Sequence, residues 1–278
     1  LQWSPEALRQ FGLRADQLPA IHISSEVIGH ITPAAASVTG LPPGVPVVAG
    51  TADMAATLLG SGVYQAGIAS DSTGTSTLLT VVSEHPLLSA GVNNLHLANS
   101  AWGGFTLLDA GGDAMRWARS ALNAGQLSHQ QMLDMAAEVP PGAEGLLFLP
   151  YLTGERLAEH TNSRAQFFGL QRKHRQPHLY RAVLEGVALA SLRNLQQLRR
   201  HAQEPEAMIA SGGGARSPLW LQIKASVYNL PSNQPLGTAQ PANIGVGTEP
   251  AFDGDVVLAL SFSGGGTRAA AFSFGVLN

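Results

Sequence analysis

Between residues 46 and 82 two apolar runs break at small residues, and these breaks constrain the fold more than any other stretch of the chain. Pro46-Val47-Val48-Ala49 reads as a short buried strand that ends at Gly50 and gives way to a helix near Thr51. Asp53 then falls in the first turn of that helix, where amide ends and the macrodipole favour an anion. Further on, the β-like runs Ala66-Gly67-Ile68-Ala69 and Thr77-Leu78-Leu79-Thr80-Val81-Val82 are joined by Asp71-Ser72-Thr73-Gly74-Thr75-Ser76. A loop of such residues turns N–H groups and hydroxyls toward one point, which suits phosphate oxygens. A fixed carboxylate facing a phosphate cradle is the minimum equipment for phosphoryl transfer to an alcohol. Each feature alone also has a plainer reading: Asp53 as a helix-end residue, and 72–76 as an ordinary hairpin turn.

Composition narrows the class. A chain of 278 residues with 45% hydrophobic residues, 31 glycines and only 13% charged residues is built like a compact α/β enzyme, in one large or two modest domains. A net charge of −3 without a basic run gives no footprint for nucleic acid. Zero cysteines exclude disulfides and thiolate metal sites and fit a cytoplasmic protein. No apolar run is long enough to span a bilayer and no signal peptide opens the chain. Leu1, followed directly by helix-like sequence, suggests that the beginning is missing.

The remaining elements follow from caps and periodicity. Ser4-Pro5-Glu6 and Thr32-Pro33 are helix starts, with Leu8 and Phe11 as the apolar face of the first helix and Gly40 closing the second. Leu95–Ala98 and Phe105–Leu108 read as paired strands, and Gly111-Gly112 opens a helix carrying Met115, Ala118 and Leu122. Ser128 with Gln131 forms a capping box, and Met132, Met135 and Ala136 make a core-facing stripe behind it. Gly145–Leu152 reads as a buried strand, and His178 begins a long helix through Tyr180, Leu184, Val187, Leu195 and Leu198. Met208-Ile209-Ala210 is a strand, Ser211-Gly212-Gly213-Gly214 a glycine loop, and Ser217-Pro218 the start of a helix whose face is Trp220, Ile223, Val227 and Leu230. Strand, glycine loop and helix N-terminus together make an anion- or nucleotide-binding arrangement, although tight turns use glycine too.

Four stretches, taken in order, resemble the C-terminal half of the FGGY family of carbohydrate kinases, xylulokinases in character, over residues 1 to about 235. They are the Asp53 segment, Ser-Thr-Gly-Thr-Ser at 72–76, Gly154-Glu155-Arg156 through Leu184-Glu185-Gly186, and Ser211-Gly-Gly-Gly-Ala-Arg-Ser217. The third holds the family signature: Ala165, Phe167, Gly169, Leu170, seven residues, then His178, Leu179, Ala182, Val183, Leu184 and Glu185. The resemblance implies an actin-like (ribonuclease-H-like) ATPase fold, here incomplete, with ATP and Mg²⁺ as cofactors and a sugar as substrate. It implies that Asp53 is the catalytic base and that Gly74 and Thr75 hold the ATP phosphates. Gly112 and Arg116 would flank the nucleotide, and Gly213, Gly214 and Ser217 would bind adenosine. No protein ligand for the metal is implied. The domains expected are 1–48 as the end of a sugar-binding domain, 49–235 as the ATP-binding domain, and 236–278 as a linker and a foreign tail. A homodimer is compatible with this reading; nucleic acid and a membrane span are not expected.

Two departures qualify the resemblance. Ala158 stands where the family has proline, and the helix that completes the domain after Leu230-Pro231 is missing. Instead, Asp255–Phe262, Ser263-Gly264-Gly265-Gly266-Thr267-Arg268 and Ala269–Leu277 resemble the opening strand, oxyanion loop and first helix of patatin-like phospholipases. That family's Gly-x-Ser-x-Gly elbow does not occur, so Gly264, Gly265, Gly266 and Arg268 supply no acyl-transfer activity. A second glycine turn packed on the sheet is the plainer alternative. The expectation is a kinase by descent that alone phosphorylates no sugar at a useful rate, set against a patatin-type acyl hydrolase or a non-catalytic remnant. Asp53, Thr75 and Gly213 are expected to face one cleft.

Overall fold

The computed structural model describes residues 2–97, 99–155 and 162–230, together with the backbone of two short strands at 258–259 and 273–274. It divides into two compact units, Leu1–Gly60 with Leu97–Asn99 and Asn243–Asn278, and Ser61–His96 with Ser100–Ala242. The division expected at 48/49 therefore falls inside the first unit, and Asp53 belongs to that unit.

The first unit is built from short, well-capped pieces. Helix α1 (Pro5–Phe11) starts where the Ser4 hydroxyl accepts from the Ala7 amide, and it stops at Gly12, whose φ of +65° suits glycine. Strand β1 (Val27–His30) pairs antiparallel with β2 (Pro46–Val48) around the equally well-capped helix α2 (Pro33–Thr39). Gly50, at φ +76°, breaks the strand, and α3 (Asp53–Gly60) begins at Asp53, two residues past the expected start at Thr51. The apolar face expected for α1 is not buried: no residue of that helix is, and Phe11 is 74% exposed.

The second unit is a mixed five-stranded sheet flanked by helices. Its strands are β3 (Ile68–Thr73), β4 (Thr77–Ser83), β5 (Asn93–His96) and β6 (Trp102–Leu108), with β9 (Ala207–Ser211) from far along the chain. The order is β5-β6-β4-β3-β9; only β3 and β9 run parallel, and Thr73 opposite Thr77 closes the β3–β4 hairpin. The helices are α4 (Gly112–Asn123), α5 (His129–Ala137), α6 (Gln176–Arg199) and α7 (Pro218–Tyr228), and a small ribbon pairs β7 (Leu147–Leu149) with β8 (Gln166–Phe168). Helix α6 is the axis of the core, with Tyr180, Val183, Leu184, Val187, Leu195 and Leu198 all fully buried. The capping box of α5 forms as its sequence predicts, and Met132 and Ala136 are buried. β7 is not the buried strand expected: Phe148 is buried between Trp117 and Phe167, while Leu147 and Leu149 point outward and are about two-fifths exposed. Ribbon and helix meet so closely that a Cβ on Gly186 would lie 2.1 Å from the Phe148 carbonyl oxygen. Glu185, the last residue of the signature, ties α6 to the preceding loop by accepting from Arg181 Nε (2.6 Å) and the Gly142 amide (3.0 Å).

Between β3 and α7 lies a buried charged cluster. Lys224 Nζ donates to both carboxylate oxygens of Asp71 at 2.8 Å, and it lies 2.6 Å from Thr73 Oγ1. Tyr228 donates to Asp71 at 2.9 Å, and Thr73 Oγ1 bridges Asp71 Oδ1 (2.6 Å) and Thr77 Oγ1 (3.0 Å). Burial, with the Asp71 carboxylate beside it, pushes the Tyr228 phenol well above its ordinary range. Both carboxylate oxygens are satisfied, which is the condition for keeping such a pair dry.

In the tail, Leu258–Ala259 pairs antiparallel with Ser273–Phe274. Ser273 and Phe274 are thus extended where a first helix was expected over Ala269–Leu277. The Gly264, Gly265, Gly266 and Arg268 loop lies outside the described residues.

Two stability measurements check this account. By helix propensity, Gly186→Ala should stabilise α6 by about 0.5–1 kcal/mol. The contact with the Phe148 carbonyl reverses the sign, and urea denaturation should show a loss of about 1–3 kcal/mol. Lys224→Met strands a buried carboxylate and should cost about 3–5 kcal/mol, whereas Asp71→Asn/Lys224→Met, which removes the stranded charge, should cost clearly less than the single change.

Candidate nucleotide site

The β3–β4 turn, residues 74–76, is held by α4 rather than left free. The Gly74 amide donates to the Ser76 carbonyl (2.9 Å), while the first amides of α4 reach back: Gly112 N–H to the Gly74 carbonyl (2.9 Å) and Asp113 N–H to the Thr75 carbonyl (3.0 Å). This approach requires glycine, since a Cβ on Gly112 would stand 2.4 Å from the Gly74 oxygen, and one on Gly111 2.6 Å from the backbone of Ser76.

The loop after β9 closes on the other side of Thr73. Gly212 has φ +76°, and a Cβ there would meet the Thr73 carbonyl oxygen at 2.6 Å; one on Gly214 would meet the Thr73 methyl at 2.7 Å. Ser217 then caps α7 by accepting from the Trp220 amide (3.2 Å), and the Trp220 indole N–H anchors on the Leu184 carbonyl (3.1 Å). Lys224 sits 5.0 Å above the Trp220 ring, so the buried cluster also bears on this wall.

These loops enclose a cavity of about 300 Å³ within the second unit. It is lined by Gly74, Thr75, Gly112, Arg116, Gly213, Gly214 and Ser217, seven residues singled out from the sequence. Met115, Leu133, Leu184 and Trp220 supply an apolar wall, and His129 lies at its edge. Backbone-rich loops on one side and apolar side chains on the other can take a ligand with an anionic end and a flat apolar end. Arg116 is exposed at the rim and paired with Asp113 at 2.9 Å, a weak surface pair. No carboxylate lines the cavity, and among the described residues no group of three metal-ligating side chains gathers. Asp71, buried below the loop, is fully engaged by Lys224, Tyr228 and Thr73.

Asp53 is not part of this cavity's lining; it opens α3 in the first unit, half-buried, with its Oδ1 accepting from the Met54 amide at 2.7 Å. The sequence reading missed Lys224 and Tyr228. Their signal was present, since Trp220, Lys224 and Tyr228 share one helical face at i, i+4 and i+8. His129 and Leu133 lie on α5 beside the core-facing stripe of Met132 and Ala136 and carry no sequence signal of their own.

Comparison with known proteins places the chain. The C-terminal domain of the FGGY family of carbohydrate kinases matches residues 69–246, and the N-terminal domain of the same family matches residues 1–60. Xylulose kinase of Escherichia coli K12 is 35% identical over 230 residues, covering 81% of this chain and 47% of the relative. An autoinducer-2 kinase of Yersinia pestis is 32% identical over 274 residues, covering 90% of this chain and 52% of the relative. The crystal structure of xylulose kinase from Rhodospirillum rubrum superposes with a TM-score of 0.75 at 31% identity, over 82% of this chain and 47% of that one. The chain spans about half the length of the curated relatives it matches. The C-terminal match ends at residue 246, and neither family match lends support to a patatin-like reading of the stretch beyond it. On the match over 69–246, the chain belongs to the FGGY family of carbohydrate kinases and carries its actin-like, ribonuclease-H-like fold in part.

Proposed function

We propose that the second unit is the ATP-binding part of a sugar kinase and that Asp53 of the first unit is the base that takes the proton from the sugar hydroxyl. One observation supports this reading: the β3–β4 turn, the start of α4 and the loop after β9, far apart in sequence, line one cavity with Gly74, Thr75, Gly112, Arg116, Gly213, Gly214 and Ser217. Gly74 and Thr75 hold the phosphates, Gly112 and Arg116 flank them, and Gly213, Gly214 and Ser217 receive the adenosine against Trp220. Mg²⁺ would enter with the nucleotide and supply charge neutralisation at its phosphates; no carboxylate lines this cavity to hold it. A cytoplasmic location fits a substrate such as ATP; among the described residues no helix is long and apolar enough to cross a membrane.

Phosphoryl transfer is almost wholly positioning and charge stabilisation. The chain matches about half of each relative, and we propose that by itself it binds nucleotide and turns sugar over slowly at best. Calorimetric titration with ATP–Mg²⁺ should give one site. Gly214→Val, which drives a side chain into Thr73, should weaken it at least tenfold while Asp53→Ala leaves it unchanged. Equal binding by the parent and Gly214→Val proteins would remove the cavity from consideration. A coupled ADP-release assay over pentoses and hexoses should show little sugar-dependent turnover. Robust turnover that falls about 10²–10⁴-fold in Asp53→Ala would overturn the low activity while upholding the base.

A further inference from the structure

A second and larger cavity, of about 610 Å³, opens in the second unit between the C-terminal half of α6, strand β6 and the 89–91 loop. It shares no lining residue with the nucleotide cavity. Along α6, Leu184 lines the first cavity and Arg193 the second, roughly 13 Å apart at the helical rise.

Its floor and rim differ in chemistry. The floor carries three buried polar groups, Glu155, Asn194 and Thr106, at 5%, 8% and 2% exposure. Glu155 is held by Arg193 Nη1 at 3.2 and 3.1 Å to its two oxygens, yet a carboxylate so paired keeps lone pairs for further donors. The Asn194 side-chain amide donates a long bond to the Leu107 carbonyl, at 3.4 Å. Among the described residues the Thr106 hydroxyl finds no hydrogen-bond partner, although a hydroxyl at that depth ordinarily has one. The rim is cationic: Arg193, Arg200 and His201 stand exposed, and among the described residues Arg200 has no acidic partner.

An unsatisfied hydroxyl and a weakly bonded amide below, with a guanidinium above that has no acidic partner among the described residues, are the complement of a small molecule with hydroxyls at one end and a dianion at the other. We propose that this cavity is a binding site for a sugar phosphate, its hydroxyls meeting Thr106, Asn194 and Glu155 and its phosphate meeting Arg200 and His201. The class of ligand follows from these groups alone and does not depend on the adjacent cavity being a nucleotide site.

The test uses ribose 5-phosphate as the probe, titrated into the full chain by calorimetry with and without saturating ADP. The expected result is one site that ADP does not displace, with ribose and inorganic phosphate each binding at least tenfold more weakly than the probe. Arg200→Ala should weaken the probe at least tenfold. Thr106→Val should weaken it about fivefold without lowering the melting temperature of the free protein, because the hydroxyl removed has no partner to lose. No binding, displacement by ADP, equal affinity for inorganic phosphate, or undiminished binding in both variants would each overturn the proposal. Mant-ADP binding measured on the same two variants should be unchanged, so failure here is distinguishable from failure of the nucleotide site.

Discussion

Around Thr73 and Gly74 three segments of backbone come closer together than any side chain would permit, and the geometry of the candidate nucleotide site follows from that approach. The start of α4 lies against the hairpin turn, and the loop after β9 lies against the last residues of β3. A β-carbon at Gly112, Gly212 or Gly214 would meet a neighbour at 2.4 to 2.7 Å. The glycines matter less for the freedom they give the chain than for the volume they leave empty. Beneath them the Asp71–Lys224 pair and the Thr73 hydroxyl hold the strand ends in register with α7. Closeness above and charge pairing below are two halves of one arrangement, because neither loop could approach if β3 were free to shift.

What was legible in the sequence was what local chemistry determines. Small residues at strand ends marked the hairpin turn, Gly111-Gly112 and the 212–214 loop, and the caps at Ser4, Thr32, Ser128 and Ser217 all form. What escaped depends on partners remote along the chain. Lys224 and Asp71 lie 153 residues apart, and a lysine on a helix is ordinarily read as its solvated face. β7 reads as a buried run, yet its two-stranded ribbon has only one covered face, so the pleat sends Leu147 and Leu149 outward. α1 has the pattern of an amphipathic helix, but at seven residues its apolar side meets nothing that buries it. The end of the first unit at Gly60, rather than after residue 48, reflects contacts among short elements that carry no boundary signal of their own.

The family signature also acquires a physical meaning. Gly186 admits the ribbon against α6, and Glu185 fixes the preceding loop through the Gly142 amide while neutralising Arg181. Neither residue lines the cavity. They hold the helix whose Leu184 forms its apolar wall and whose carbonyl orients Trp220. A motif quoted as a mark of activity is in this chain a mark of the scaffold that places it.

The hydrogen bonds from the first amides of α4 to Gly74 and Thr75 have a further consequence. A helix start ordinarily offers such amides to an anion, and here two of them are spent within the protein. In return the turn is rigid before any ligand arrives. The conformational entropy that a floppy phosphate loop would surrender on binding has already been surrendered on folding. Association then resembles a key entering a cut lock, with little heat-capacity or rate signature of loop ordering. Selectivity among nucleotides would have to come from the wall made by Met115, Leu184 and Trp220 rather than from closure of the loop.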